Sequence, residues 1–238
     1  MDGLSSDMGV QIGIITLAAI VHASLQLEVG ALMLLYHASL GKHIKKKTKS
    51  LVSSYILGAG VLVLLLLTTA TFLIATFLGS SLSPKCMMIL AAVLLMLALL
   101  IWLFYYRSKQ TTELWLPKSV ARYINKRAKL TESNVEAFSL GMLTAFAEMP
   151  FSLVLMVVAG NSVTALPFLW QFATMVVYAF ITILPLLVLR FSIRRGSTVV
   201  DVQKWRLKNK NFFKILSGLL FLTLGIFIIA FKVLGTGV

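Results

Sequence analysis

Six apolar runs, at about 10–39, 51–79, 86–106, 135–159, 164–192 and 212–234, dictate what this chain can become. Each meets or exceeds the roughly 20 residues that an apolar helix needs to cross a bilayer. The segments between them are basic: of 22 Lys and Arg, 19 fall in 40–50, 107–133 and 190–211. That clustering is the mark of cytoplasmic loops, and it explains the formal charge of +14 without nucleic acid as a partner. Charged residues make up only 13% of the chain, where a soluble domain carries about 25%. The expectation is an all-α, polytopic membrane protein of six spans in a bacterial or archaeal inner (plasma) membrane, with both termini outside. Asp2 and Asp7, with no basic stretch before the first run, argue against a cleavable signal peptide. Cys86 is the single cysteine, which excludes an internal disulfide and a Cys-rich metal site.

Three units follow from the order of the runs. Residues 1–106 hold three spans, 107–133 form a cytoplasmic linker, and 134–238 hold three more. The first run is too long for one straight span, so it is expected to tilt or kink. The third shows no strongly polar side chain before Trp102, Tyr105 and Tyr106, which read as an interfacial belt on a lipid-facing helix. In the linker, Val120, Tyr123, Ile124 and Ala128 alternate with Lys118, Arg122, Lys126 and Arg127 at helical spacing. A basic amphipathic helix lying on the inner membrane surface is predicted there. Ser133 and Glu136 form an S-x-x-E capping box at the start of the fourth run, which makes Glu136 a cap.

Two carboxylates stand deep inside apolar runs. Glu148 sits mid-run with Pro150 two residues on, and Glu28 is followed two residues on by Gly30. Ser24 and Thr144 each precede their glutamate by one helical turn, so the two patterns match at a spacing of 120 positions. An ionisable group at membrane depth costs roughly 2.5–3.5 kcal/mol on insertion scales and is a functional candidate by default. Proline frees the carbonyl four residues back, here that of Phe146, and glycine supplies backbone freedom at the matching place. Gly30 and Pro150 are therefore the expected helix breaks. Two carboxylates brought together in an apolar site cannot both stay ionised. Such a pair can exchange a proton, a cation or a substrate ammonium group. Ser24 and Thr144 either donate to the carboxylates or bond their own backbone. Gln26 and His22 share the other side of the first helix. Gln171, Thr174, Tyr178, Thr182 and Pro185 fall in one stripe of the fifth run, of which Gln171 and Tyr178 are expected to line the route.

Three spans per half is an odd number, so the second half enters the membrane in the opposite sense, as in many secondary transporters. This layout, with a polar motif broken by Gly or Pro in the first helix of each half, resembles the superfamily of LysE-type exporters. Related CcdA/DsbD-type electron carriers and small cation transporters share it. The carriers use a cysteine in each half, and this chain has none at those places, which speaks against thiol electron transfer. Glu28-Val-Gly30 and Glu148-Met-Pro150 are similar to the paired acidic motifs of cation-transporting relatives. The fuller E-x-G-D-K/R-S/T motif of one such family is absent, so no particular metal is implied. The resemblance implies export of a cationic or zwitterionic solute or a metal ion against proton entry, with amino-acid export by analogy alone. No cofactor is expected. The expected partners are the lipid bilayer, a small solute or cation and, through Gly58, Gly60, Gly218 and Gly225, a second copy or other helices of the same chain. The competing reading is a non-transporting scaffold whose basic loops recruit a cytoplasmic partner. No Ser/His/Asp set, metal-spaced cluster or phosphate loop suggests an enzyme.

Overall fold

A computed structural model describes residues 2–25, 27–40, 45–79, 81–105, 118–194 and 199–235. Helices account for nearly all of them, and no strand occurs among them. The elements are α1 (Asp2–Ala23), α2 (Leu27–Leu40), α3 (Lys45–Phe77), α4 (Pro84–Leu100), α5 (Lys118–Leu130), α6 (Asn134–Ala147), α7 (Met149–Thr164), α8 (Phe168–Arg194), α9 (Val199–Lys208) and α10 (Lys210–Ile228). Single π-helical turns, Ile101–Tyr105 and Ile229–Leu234, extend α4 and α10. Four helices are long and apolar enough to cross a membrane, and a fifth crossing results if the bent pair α6–α7 counts as one.

The expected first span divides into α1 and α2. The interruption does not fall at Gly30, which lies inside α2. It falls just before, because Ser24 turns on the end of α1. The Ser24 hydroxyl donates to the Val21 carbonyl at 2.6 Å, its N–H donates to the carbonyls of Ile20 and Val21, and the Leu25 N–H donates to His22. Those bonds tighten the last turn and consume carbonyls that a continuing helix would use.

The second interruption falls where Pro150 requires it. Pro150 stands in the first turn of α7, where its missing N–H costs nothing, and Glu148 is the junction residue. The axes of α6 and α7 diverge by 79°. The expected capping box is present: Ser133 Oγ accepts from the Glu136 N–H, and the Glu136 carboxylate accepts from the Ser133 N–H.

Backbone-to-backbone packing fixes α6 on α3. A side chain on Gly58 would overlap the Phe138 carbonyl, and one on Gly141 would overlap the Tyr55 carbonyl. The small residues let the helices touch directly, as membrane helices do when dispersion and not water drives their association. The order of contacts, Gly58 against Phe138 and Tyr55 against Thr144, is antiparallel. Glu148 then turns the chain so that Gly160 of α7 meets Thr71, and Asn161 Oδ1 accepts the Leu82 N–H of the α3–α4 turn at 2.7 Å. The pair is an open V with Glu148 at its apex.

Around this V, α1, α3, α7 and α8 pack on one another and bury Ile14, Ala18, Tyr55, Leu155 and Tyr178. α4 pairs with α10 at the side and exposes Met88, Ile89, Met96 and Leu99, in keeping with a lipid-facing helix. Trp102 departs from the interfacial reading, since its indole is turned in against Gly218 of α10; the side chains of Tyr105 and Tyr106 lie outside the described residues. α5 forms in the segment where the amphipathic helix is expected. Its Ile124 and Ala128 are buried and the helix packs on α2 and α6, while Tyr123 faces outward under the Arg127 guanidinium.

Gly58→Ala and Gly141→Ala should each destabilise the fold, by about 1–3 kcal/mol for a methyl forced against backbone. Gly60→Ala, whose added carbon would meet Ile183 at an ordinary 3.4 Å, should be neutral. Thermal unfolding in detergent, followed by circular dichroism, separates the three. Equal melting of all three variants would contradict the close α3–α6 contact.

Candidate functional site

The apex of the V carries the carboxylate. Glu148 is 2% exposed and His22, at the end of α1, is 4% exposed. His22 Nε2 lies 3.9 Å from Glu148 Oε2, and Nδ1 lies 3.1 Å from the Tyr178 hydroxyl of α8. The imidazole thus bridges a tyrosine and an acid, one partner at each ring nitrogen. The Tyr178 contact is a hydrogen bond by its length, and the Glu148 contact is too long to be one. Ala23, Val29, Thr182, Pro185 and Leu186 close the surroundings, leaving a cavity of about 10 Å³, which holds at most a single water. The site is nearly dry.

A buried imidazole accepts or donates at either ring nitrogen, according to its tautomer. The arrangement Glu148–His22–Tyr178 can therefore hold a proton at the acid or at the ring and pass it between them with one intervening water. Ser152, one turn past Glu148, is fully buried, and its hydroxyl has no hydrogen-bond partner among the described residues. It supplies one further polar atom beside the apex of the V.

The residues singled out in the sequence are dispersed differently from expectation. Glu148 and Tyr178 come together. Thr144 is fully buried one turn before Glu148, but its hydroxyl donates to Leu140 and Gly141 carbonyls and pairs with Tyr55 Oη at 2.7 Å. Ser24 likewise bonds its own helix and accepts, at its carbonyl, the Ser217 hydroxyl at 3.3 Å. Both hydroxyls took the backbone alternative. Gln171 donates to the Leu166 carbonyl and holds the α7–α8 turn, away from His22. Thr174 bonds back to Trp170 and Gln171, whereas Thr182 and Pro185 of the same stripe reach the small cavity. Gln26 lies outside the described residues. Glu28 is on α2, and its side chain also lies outside them, so the expected pairing of Glu28 with Glu148 is not described.

His22 is the partner that spacing singled out least, because nothing in its own helix marks it apart from its polarity. Tyr55 was not identified at all. The two tyrosines nonetheless form matched contacts. Tyr55 lies ten residues into α3 and bonds the interrupted segment α6, and Tyr178 lies ten residues into α8 and bonds the interrupted segment α1. Tyr178 follows Tyr55 by 123 positions and Thr144 follows His22 by 122. The helix ends agree with that spacing, since α7 begins 122 positions after α2. In this register Thr144 corresponds to His22, and Glu148 has no acidic counterpart.

The fold and the site define an all-α protein with the long apolar helices of an integral membrane protein and a buried acid–imidazole–phenol cluster at a helix interruption. No protein-family model, curated protein or solved structure matches this chain.

A double-mutant cycle on His22→Leu and Tyr178→Phe should give a coupling of about 0.6–1.5 kcal/mol in unfolding free energy, the range for a hydrogen bond between membrane helices. Additivity within the error of the measurement would show that the contact carries no energy of its own.

Proposed function

We propose that this chain is a small secondary transporter, with α1–α4 and α6–α10 as two inverted halves and Glu148–His22 as its proton-coupling site. The observation that carries the proposal is the 3.9 Å approach of a buried acid to a buried imidazole at a helix interruption. Ionisable groups at membrane depth are retained for ion paths and proton relays, and interrupted helices are where such sites are built. The matched tyrosine contacts support the two-half layout, because each ties an interrupted segment of one half to a long helix of the other. The 79° angle between α6 and α7 makes that interrupted segment a bent arm and not a straight crossing.

The nearly dry cavity favours a proton over a bound solute at Glu148 in this conformation. Among the described residues no three His, Cys, Asp or Glu side chains are gathered to hold a metal ion. The solute is accordingly a small cationic or zwitterionic molecule whose ammonium group replaces the proton when the cavity opens, as the resemblance to LysE-type exporters implies. Opening needs movement of Val29 on α2 and of Pro185 and Leu186 on α8, which wall the cavity.

Purified protein in proteoliposomes with an imposed pH gradient tests this. A panel of basic and neutral amino acids should collapse the gradient, read from an internal pH-sensitive dye. Glu148→Gln, nearly isosteric, should slow that collapse at least about tenfold, the effect of losing a proton-transfer group. Undiminished proton movement in Glu148→Gln, or no response to any solute of the panel, would remove the proposal.

A further inference from the structure

A larger cavity lies next to the site, and nothing about proton coupling explains it. It measures about 770 Å³ and is formed by α1, α8, α9 and α10. Its walls are aliphatic and aromatic: Ile20, Ile181, Leu184, Val188, Phe213 and Leu220. It opens laterally among exposed apolar side chains such as Val188, Leu216 and Trp205. A groove with such walls and such an opening is filled by a hydrocarbon chain and not by water.

One polar feature interrupts the apolar lining. α9 places Arg206 in the lining of the groove, 5% exposed as a residue, with its Nη1 3.6 Å from the Met33 thioether of α2. Trp205 lies beside it on the same wall, and Ser192 of α8 also lines the groove. Lys204 and Lys208 of α9 are exposed, as expected of a helix at headgroup level. Arg206, on the same short helix, presents its charge to the lining of the groove. Asp201 also lines the groove and is exposed. It is the single acid in 190–211, against seven Lys and Arg, so this segment carries a net positive charge that attracts an anion.

We propose that this groove is a binding site for an anionic phospholipid of the surrounding bilayer, with an acyl chain between α8 and α10 and the phosphate on Arg206. The planar guanidinium donates to two phosphate oxygens at once, which a lysine ammonium does not do. The Ser192 hydroxyl donates to the Val188 carbonyl at 2.9 Å, which leaves its oxygen to accept and the guanidinium as the donor to the phosphate. The chain end of the lipid approaches Ala23, Val29 and Pro185, which line both this groove and the cavity of Glu148. Lipid occupancy thus bears directly on the wall of the buried site, whether or not that site carries protons.

Trp205 reports on the groove. In vesicles of phosphatidylcholine, brominated phosphatidylglycerol should quench the Trp205-dependent fluorescence, taken as wild type minus Trp205→Phe, at about fivefold lower mole fraction than brominated phosphatidylcholine. That is the weight of one basic side chain against an anionic headgroup. Arg206→Gln should abolish the preference, Arg206→Lys should keep part of it, and Val188→Phe, which fills the groove, should weaken quenching by both lipids. Equal quenching of the wild type by the two lipids overturns the proposal and needs no variant to fold. So does a preference that survives Arg206→Gln but disappears in Lys204→Gln/Lys208→Gln, which would mark general surface attraction.

Discussion

A carboxylate in an apolar interior has to be answered by another group, and the architecture around Glu148 is the answer. Taking an isolated charge out of water costs far more than any single packing contact returns, so such a group is paired, protonated or both. Here α1 ends so that His22 faces Glu148, and α8 brings Tyr178 to the far side of the ring. Three helices from distant parts of the chain are thereby held at one point. The interruption in α6–α7 serves the same end, because a continuous helix could not present Glu148 at the apex of a V.

The second requirement is that interrupted helices leave backbone groups to be satisfied. Around Glu148 they are met within the turn: its N–H donates to Thr144, and its carbonyl accepts from Phe151 and Ser152. At the end of α1 the Ser24 hydroxyl and Ser217 do the same. Thr144 is drawn into Tyr55, which anchors α6 on the glycine-lined face of α3. The polar side chains that sequence patterning associates with a transport route are thus divided between two duties. Some hold the broken backbone together, and His22, Glu148 and Tyr178 meet one another at the apex of the V.

The neighbouring groove adjoins this arrangement. Ala23, Val29 and Pro185 form a shared partition between the apolar groove and the nearly dry cavity. Pro185 lies inside α8, where the lost backbone bond makes local bending cheap, so the partition stands where the helix yields most easily.

By itself the sequence determined the all-helical class of fold with its long apolar helices, the helix over 118–130, the capping box at Ser133 and the break at Pro150. These are local matters: apolar length, helical period and a missing N–H are written in neighbouring residues. Tertiary structure alone decided which groups meet Glu148. A match at 120 positions aligned Glu28 with Glu148 by residue type, whereas the bonded tyrosines and the helix ends follow a spacing of 122 to 123. The bonds of Ser24 end α1 before Gly30, and His22 stands in the last turn of that helix. Contacts between helices depend on where each one stops and how closely glycines let it approach, and no pattern within one segment records that.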